Sequence, residues 1–266
     1  MRASTEAHWS RFWRERAEID EVYPTAGRVV EQMTAEGPVR GKIVLEVGAG
    51  SGRDSVGLAE QGAVSVMLDY SMASLQVARE VAERSGVAPL LVRADALRMP
   101  FRDGTFDAVF HQGLLEHFRD PMPLLRENVR ALKKEGILLV DVPQRWHLYT
   151  AVKHALIAAG RWFAGWETEF SIGELTGLMS RAGVRVVRRY GAWMVPGLAY
   201  RSLRLGLLKL RLVRLPLDPP PVPVITPLFA GIRGFVARTP LAFHTYFVIG
   251  AIGRKEAPEP PAGRAG

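Results

Sequence analysis

The sequence predicts an α/β fold with a doubly wound, mostly parallel sheet. Strand-like and helix-like segments alternate along the chain from residue 42. The strand segments are apolar runs without polar alternation, which is typical of strands covered on both faces. A glycine-rich turn follows the first strand, and ligands of parallel sheets bind at the carboxyl ends of strands. The 266 residues are enough for one sizeable core.

The core begins after two predicted amino-terminal helices, 4–17 and 21–35. A serine with glutamate three residues later, Ser171 and Glu174, predicts a capping box at the start of the last core helix. An apolar run at 243–250 predicts the last strand. The other predicted strands are 42–47, 64–69, 89–93, 106–111, 137–142 and 184–187, and the core helices are 53–61, 72–84, 121–132 and 171–182.

These elements divide the chain into five segments. A core of alternating strands and helices lies between an amino-terminal cap and a basic, apolar insertion. A tail rich in proline, alanine and glycine is expected to be disordered. The segments are the helical cap 1–40, the core 41–190, the insertion 191–242, the final core strand 243–254 and the tail 255–266.

The run of residues 44–52 carries the strongest functional signal. It is a strand containing Glu46, followed by glycines at 48, 50 and 52. Glycine allows the sharp turn and close backbone approach that a cofactor needs, and the helix from about Arg53 turns its free N–H groups toward the same ligand. Arg53 stands where the dinucleotide fingerprint has its third glycine. The run therefore indicates a nucleotide-like cofactor with a cationic group near Glu46.

Acidic residues also follow the second and third predicted strands. Asp69 lies 17 residues beyond Gly52, close to where an α/β nucleotide site holds ribose hydroxyls. Asp95 is a candidate acceptor for an exocyclic adenine amine. Asp69 could instead cap the following helix, and Asp95 could be a turn residue. Three acids at the ends of three successive strands favour a site.

The order and spacing of several short motifs extend this pattern over residues 42–142. They are LEVGAGSGR at 45–53, LDYS at 68–71, ADA at 94–96, MPF at 99–101, FDAV at 106–109, LLEH at 114–117 and LKKEGIL at 132–138. Together they resemble the class I S-adenosylmethionine-dependent methyltransferases, most closely those that act on small molecules. The resemblance implies a Rossmann-like, seven-stranded sheet with an antiparallel last strand beside the fifth. Residues 191–242 then form a helical insertion before that strand, where the family has a short hairpin.

The resemblance also assigns the cofactor site and names S-adenosyl-L-methionine as the cofactor. Asp69, with the adjacent Tyr70, would bind the ribose, and Met72 would pack on the adenine. Asp95 and Ala96 would contact the adenine edge. Facing the methionine end would be Glu46, Gly48, Ala49, Gly50, Gly52, His111 and Gln112.

Methyl transfer from a sulfonium requires alignment of nucleophile, carbon and sulfur. A hydroxyl acceptor also benefits from a general base. His111, at the end of the fourth strand, is the best-placed candidate for that catalytic role. The acceptor is expected to be small and lipophilic or aromatic, methylated on oxygen, nitrogen or carbon, and the aromatic-rich segment 144–170 is the expected pocket wall. The other candidate bases are His117, His147, His154 and, less favoured, Glu116.

The net charge of +8 is concentrated in one region. Nine basic residues between Arg181 and Pro216 are interrupted by no acid. The pattern at 201–215 favours either peripheral contact with an anionic membrane or a lid over a lipophilic substrate. A packing element remains an alternative. Nucleic acid is less favoured, because His111-Gln112-Gly113-Leu114 stands where amino-directed base methyltransferases have an Asn/Asp-Pro-Pro-aromatic motif.

Several classes of protein are disfavoured. The chain has no cysteine, which excludes disulfides and cysteine nucleophiles, and its acids and histidines do not group at metal-ligand spacings. The polar first residues predict no signal peptide, and no apolar run is long enough for a membrane span. A cytoplasmic methyltransferase is expected, with membrane association as an alternative that stays open together with the oligomeric state. The rivals are a catalytically silent cofactor-binding subunit and, less favoured, an NAD-dependent oxidoreductase.

Overall fold

The structure is a computed structural model that describes residues 5–15, 27–160, 162, 167–217 and 219–256. Seven strands form one sheet. They are β1 (Ile43–Val47), β2 (Val64–Asp69), β3 (Leu90–Arg93), β4 (Phe106–Gln112), β5 (Leu132–Pro143), β6 (Val184–Ala192) and β7 (Val248–Lys255). The helices are α1 (Glu6–Glu15), α2 (Arg28–Thr34), α3 (Arg53–Glu60), α4 (Met72–Arg84), α5 (Met122–Ala131), α6 (Leu148–Ala158), α7 (Ile172–Arg181), α8 (Leu198–Lys209), α9 (Ile225–Val236) and α10 (Ala242–Thr245).

The strand order is β3-β2-β1-β4-β5-β7-β6. Strands β1 to β5 pair in parallel, and β7 runs antiparallel to both β5 and β6. The predicted seven-stranded, doubly wound fold with an antiparallel last strand is confirmed. Because the chain reverses its direction of winding between β1 and β4, the carboxyl ends of β1, β2 and β4 open onto one crevice.

Both faces of the sheet are buried. Leu45 and Val109 belong to one apolar cluster, whereas Val44 and Ala108 belong to a cluster on the other face. Alternate residues of β1 and β4 therefore enter different layers, as strand geometry requires. This double burial explains why the strands read as continuous apolar runs.

Local signals set several element ends. The Ser71 hydroxyl accepts a hydrogen bond from the Ser74 amide at the start of α4. Ser171 and Glu174 form the predicted capping box at the start of α7. Of the predicted amino-terminal helices, α1 and α2 are the parts that lie within the described residues. The predicted tail lies outside them from residue 257 onward.

The last strand differs from the prediction. The apolar run at 243–250 was expected to be extended, but its first residues lie in α10, where the Tyr246 amide bonds to the Ala242 carbonyl. The Tyr246 ring packs on Trp193, with centroids 4.5 Å apart. An apolar run can fit either a strand or a buried helical turn, and here tertiary packing decides. Strand β7 therefore begins at Val248 and includes Lys255, the first residue of the predicted tail.

The connection between β6 and β7 contains α8, α9 and α10, so the predicted helical insertion is present. Strand β6 continues to Ala192, beyond its predicted end at residue 187. Within the described part of the chain, no helix is both long and apolar enough to cross a membrane.

Candidate active site

A cavity of about 990 Å³, counting the part open to solvent, lies at the carboxyl ends of β1, β2 and β4. Its walls come from α1, the glycine loop after β1, the ends of β2 and β3, and the segment that follows β4. The predicted cofactor residues that line it are Glu46, Gly48, Ala49, Gly50, Asp69, Tyr70, Ala96 and Gln112. Residues that had not been assigned to the cofactor site also line it, including Trp9, Trp13, Arg53, Asp54, Leu114, His117 and Phe118.

The glycine loop is tightly enclosed. Gly50 has φ +55°, and a Cβ there would lie 2.7 Å from Cζ2 of Trp13. A Cβ on Gly48 would lie 2.8 Å from Cδ1 of Leu114. Gly52 does not line the cavity among the described residues; its missing Cβ would overlap Met67, with Sδ 2.6 Å away. The first two glycines thus shape the cavity, while the third allows α3 to pack on β2.

Glu46 is a buried carboxyl on the cavity wall. Burial, with a smaller contribution from the charges of Asp54 and Asp69, raises its pKa to about 8, although hydrogen bonds from Ser55 lower it. Its Oε2 atom has no hydrogen-bond partner among the described residues. A buried acid that lacks a partner is stabilised when a cation arrives beside it. The chemistry of this wall therefore fits the ammonium and sulfonium of a methionine moiety.

Asp69 both lines the cavity and holds the glycine loop in place. Its Oδ2 accepts hydrogen bonds from the Gly50 amide at 3.1 Å and the Ser74 hydroxyl at 2.8 Å. Its Oδ1 accepts one from the Ser71 amide at 2.8 Å. Burial raises the pKa of Asp69, and these hydrogen bonds lower it. The carboxylate therefore keeps little free acceptor capacity, and ribose binding by Asp69 stays a prediction.

The residues predicted to contact adenine lie partly at the cavity and partly outside it. Ala94 and Ala96 line the cavity, whereas Asp95 is outside the lining and accepts a hydrogen bond from the Leu97 amide at 2.8 Å. This bond is the turn geometry that was the alternative for Asp95. Met72 is half exposed at the start of α4 and also lies outside the lining. Adenine contacts by Asp95 and Met72 stay predictions.

His111 is not placed at the cavity. It pairs with Val140 in the sheet, is fully buried and is absent from the lining. Burial lowers its pKa to about 3, which makes its ring a weak base. Successive side chains of a strand point to opposite faces, so Gln112 reaches the cavity and His111 enters the core. The geometry does not support the prediction that His111 faces the reacting methyl group.

Gln112 joins the cavity to a buried charge network that the sequence analysis missed. Nη2 of Arg28 lies 2.7 Å from Oδ2 of Asp141. With the Gln112 amide oriented to satisfy both neighbours, its oxygen accepts from Arg28 at 2.7 Å and its nitrogen donates to Asp54 at 3.0 Å. Asp54 lies near the start of the predicted helix 53–61 and Asp141 near the end of the predicted strand 137–142. Nothing local in the sequence marks Arg28 as their partner.

Helix α1 covers the cavity mouth. Trp9 and Trp13 line the cavity, and the Trp9 ring meets His117 edge-on with centroids 4.9 Å apart. The Ser10 hydroxyl lies 3.0 Å from that of Ser71, which ties α1 to α4. Trp13 also belongs to a small apolar cluster. Both tryptophans therefore line the cavity and also pack in an apolar cluster.

The aromatic segment 144–170 does not supply the cavity wall in its described residues. Its interior is an ion cluster in which Lys153 lies 2.8 Å from Glu167 and 2.6 Å from Glu169. Of the candidate bases in this segment, His147 caps α6 by accepting from the Tyr149 amide at 3.1 Å. His154 lies 2.7 Å from Glu169. An acceptor wall formed by this segment stays a prediction, and residues 161 and 163–166 lie outside the described part.

The fold and cavity define an α/β protein with a nucleotide-type cofactor site. Residues 45–140 match the family model described as "Methyltransferase domain". The matched region is a methyltransferase domain of the class I S-adenosylmethionine-dependent type, as the resemblance predicted.

Similar proteins carry related names. A demethylmenaquinone methyltransferase of Thermobifida fusca is 37% identical over 103 residues, covering 38% of this chain and 43% of that protein. A ubiquinone biosynthesis O-methyltransferase of a Ruegeria species is 28% identical over 175 residues, or 62% and 69% of the two chains. The chain thus spans less than half the length of the first relative. The structure of magnesium protoporphyrin IX methyltransferase from Synechocystis, with bound SAH, shares the fold, with a TM-score of 0.60, 14% identity and coverage of 96% and 95%.

Proposed function

We propose that this protein transfers the methyl group of S-adenosylmethionine to a small, lipophilic aromatic acceptor of the quinol type. The observation that carries the proposal is the group of three carboxyls, Glu46, Asp54 and Asp69, on the wall of one glycine-bordered cavity. Carboxylates attract the cationic methionine end of that cofactor and repel the diphosphate of NAD. This charge pattern favours methyl transfer over the rival oxidoreductase.

The reaction is an in-line displacement. The acceptor atom attacks the methyl carbon, the carbon–sulfur bond breaks, and sulfur leaves uncharged. The protein's contribution is to align the reactants and to exclude water. Trp9 and Trp13 on one side, with Leu114 and Phe118 on the other, give the cavity the apolar walls that this task needs.

His117 replaces His111 as the favoured general base in this proposal. Among the candidate bases, it is the one that lines the cavity. Its ring lies against Trp9 and is largely shielded from solvent. In O-methylation His117 would accept the proton of a phenolic hydroxyl as oxygen attacks the methyl carbon. In C-methylation His117 would accept the proton of a ring hydroxyl, so that the electron-rich ring carbon attacks the methyl carbon, and the hydrogen of that ring carbon would then leave as a proton to restore the aromatic ring.

The acceptor class is supported by the names of the similar proteins, a demethylmenaquinone methyltransferase and a ubiquinone biosynthesis O-methyltransferase. An aromatic, apolar cavity mouth is compatible with such a ring. We also propose that the protein is cytoplasmic and reaches a lipophilic acceptor by peripheral membrane contact through the insertion, for which residues 201–215 were the predicted element.

The direct test is methyl transfer from labelled S-adenosylmethionine to reduced demethylmenaquinone bearing a short side chain. Calorimetry with S-adenosylhomocysteine and with NAD tests the donor separately. We expect methyl transfer to the quinol. We also expect binding of S-adenosylhomocysteine and no binding of NAD. Analogue binding without transfer would overturn the acceptor proposal and favour the silent subunit. NAD binding without analogue binding would overturn the donor proposal as well.

A further inference from the structure

Helix α9 exposes an unusual number of large apolar side chains. Leu228, Phe229, Ile232 and Phe235 are 58%, 54%, 49% and 73% exposed. The helix has twelve residues, one cation and no acid. Scattered exposed apolar residues are ordinary, but a contiguous group of them marks an interaction surface.

The four side chains form one stripe. At about 100° per residue they fall within an arc of about 120°. The opposite side of α9 carries small residues, namely Thr226, Pro227, Ala230, Gly231 and Gly234. Four bulky, exposed apolar side chains thus share one side of α9, as in a helix lying in a membrane interface. Val236, at the carboxyl end of the same side, packs on the protein instead.

Helix α8, which contains most of the predicted contact 201–215, is organised differently. The Arg201 guanidinium donates to the Pro196 carbonyl at 2.9 Å, and that of Arg204 donates to the Leu215 carbonyl at 2.9 Å. Both arginines therefore hold the insertion's own backbone.

The charge around α9 indicates the chemistry of its partner. Between residues 175 and 255 the sole acidic residue is Asp218, whereas Arg233 lies in α9 and Arg238 follows the helix by two residues. An anionic lipid surface complements this excess. A second copy of the chain would instead bring two basic faces together, which like-charge repulsion disfavours.

We propose that α9 lies in the plane of an anionic bilayer, with its four-residue stripe at the boundary of the acyl chains and the neighbouring cations at the headgroups. This inference rests on the membrane contact in the proposed function and moves it from 201–215 to 225–236. It does not depend on methyl transfer, because membrane binding is measured without cofactor or acceptor.

Helix α9 and the cavity both border the main apolar cluster. Val236, at the end of α9, packs against the main apolar cluster, to which the cavity residue Phe118 also belongs. Burial raises the pKa of Tyr149 in α6 overall, although the charge of Arg201 in α8 lowers it. The Tyr149 ring packs on Phe247, just before β7. A membrane-bound α9 would therefore hold the carboxyl-terminal edge of the sheet near the lipid that dissolves a lipophilic acceptor.

Vesicle flotation of the full chain tests the proposal. Vesicles of phosphatidylcholine containing phosphatidylglycerol should carry the wild type to the top of the gradient, less so at high salt. Phe229→Ser/Phe235→Ser should lower the bound-to-free ratio by roughly tenfold or more, because each buried aromatic side chain contributes at least one tenfold step. A control, Val64→Ser/Leu90→Ser, removes two similarly exposed apolar side chains from the sheet and should float like the wild type.

Three results would overturn the proposal: no flotation of the wild type, equal flotation of the α9 variant, or equal loss in the control. A fourth would be a lipid-free dimer that dissociates in Phe229→Ser/Phe235→Ser, since the stripe would then bind a second copy. Unchanged homocysteine-analogue binding verifies that the variants are folded. If the wild type does not float but methyl transfer is intact, the membrane contact is refuted and the proposed methyl transfer stands.

Discussion

The cavity region and the insertion use apolar and charged residues in opposite ways. Around the cavity, Glu46, Asp69 and Asp141 are buried, and hydrogen bonds fix the backbone that carries them. In α9 the large apolar side chains are exposed, while the arginines of α8 bind local carbonyls. The first region is organised to hold one ligand in one geometry. The second is organised to present a surface, and the difference separates donor binding from contact with a lipophilic environment.

The largest expected effect is on the stability of the fold, through the buried ion pair of Arg28 and Asp141. Arg28→Ala leaves the buried Asp141 carboxylate without its partner, and breaking a buried pair in this way costs about 3–5 kcal/mol. Urea unfolding measures the loss. The matched control is Arg93→Ala, which breaks the exposed pair with Glu6 and should change stability little. Equal effects of the two variants would show that the Arg28 network is not a structural requirement.

The next effect is on turnover. His117→Gln should lower kcat with the quinol by about 100-fold, the lower end for loss of a general base. Affinity for the homocysteine analogue should stay nearly the same. His147→Gln is the control, since His147 caps α6 away from the cavity. A wild-type kcat in His117→Gln would reject the base assignment.

A substitution in the glycine loop should weaken cofactor binding by about tenfold or more. Gly50→Ala places a methyl group 2.7 Å from the Trp13 ring at φ +55°, so the loop or α1 must move. Gly86→Ala has a similar strain at φ +68° but nothing within 4 Å. Calorimetry should find weaker analogue binding in Gly50→Ala alone, and loss in both variants would point to backbone strain.

The pH dependence of donor binding should follow Glu46. Its pKa is about 8 in the free protein, and a bound cation lowers it. Below pH 8 binding therefore releases a proton, and affinity rises with pH by up to about tenfold per unit before levelling above pH 8. Calorimetry in buffers of different ionisation enthalpy measures the released proton. Glu46→Gln should remove the slope, whereas the exposed Glu60→Gln should keep it.

The smallest expected effect is on donor binding when the insertion is changed. Phe229→Ser/Phe235→Ser should leave analogue affinity within about twofold and the thermal midpoint nearly unchanged, because exposed side chains contribute little to stability. Isothermal calorimetry and a thermal melt measure both. A large loss of donor affinity would mean that the insertion and the cavity act as one unit. The separation of donor binding from contact with a lipophilic environment would then be wrong.

Much of this site could be predicted from local sequence. The glycines at 48 and 50, Glu46 and Asp69 are all placed at the cavity as expected, because turn geometry and strand ends are encoded within a few residues. His111 and Gln112 were both expected at the cavity, but Gln112 lines it and His111 does not. Neighbouring residues of a strand point to opposite faces, and which of the two faces the cavity depends on the register of the strand. The Arg28 network joins residues from α2, α3, β4 and β5, and no local pattern links them.

The sequence by itself determined the alternation of strands and helices, the doubly wound sheet, the glycine loop and its acidic neighbours. Short-range backbone preferences and continuous apolar burial encode these features. Only the tertiary structure decided that His117 and Trp9 share a cavity, that α10 replaces the start of the last strand, and that α9 presents its apolar stripe outward. Those outcomes depend on contacts between residues far apart in the chain, whose energies no single segment contains.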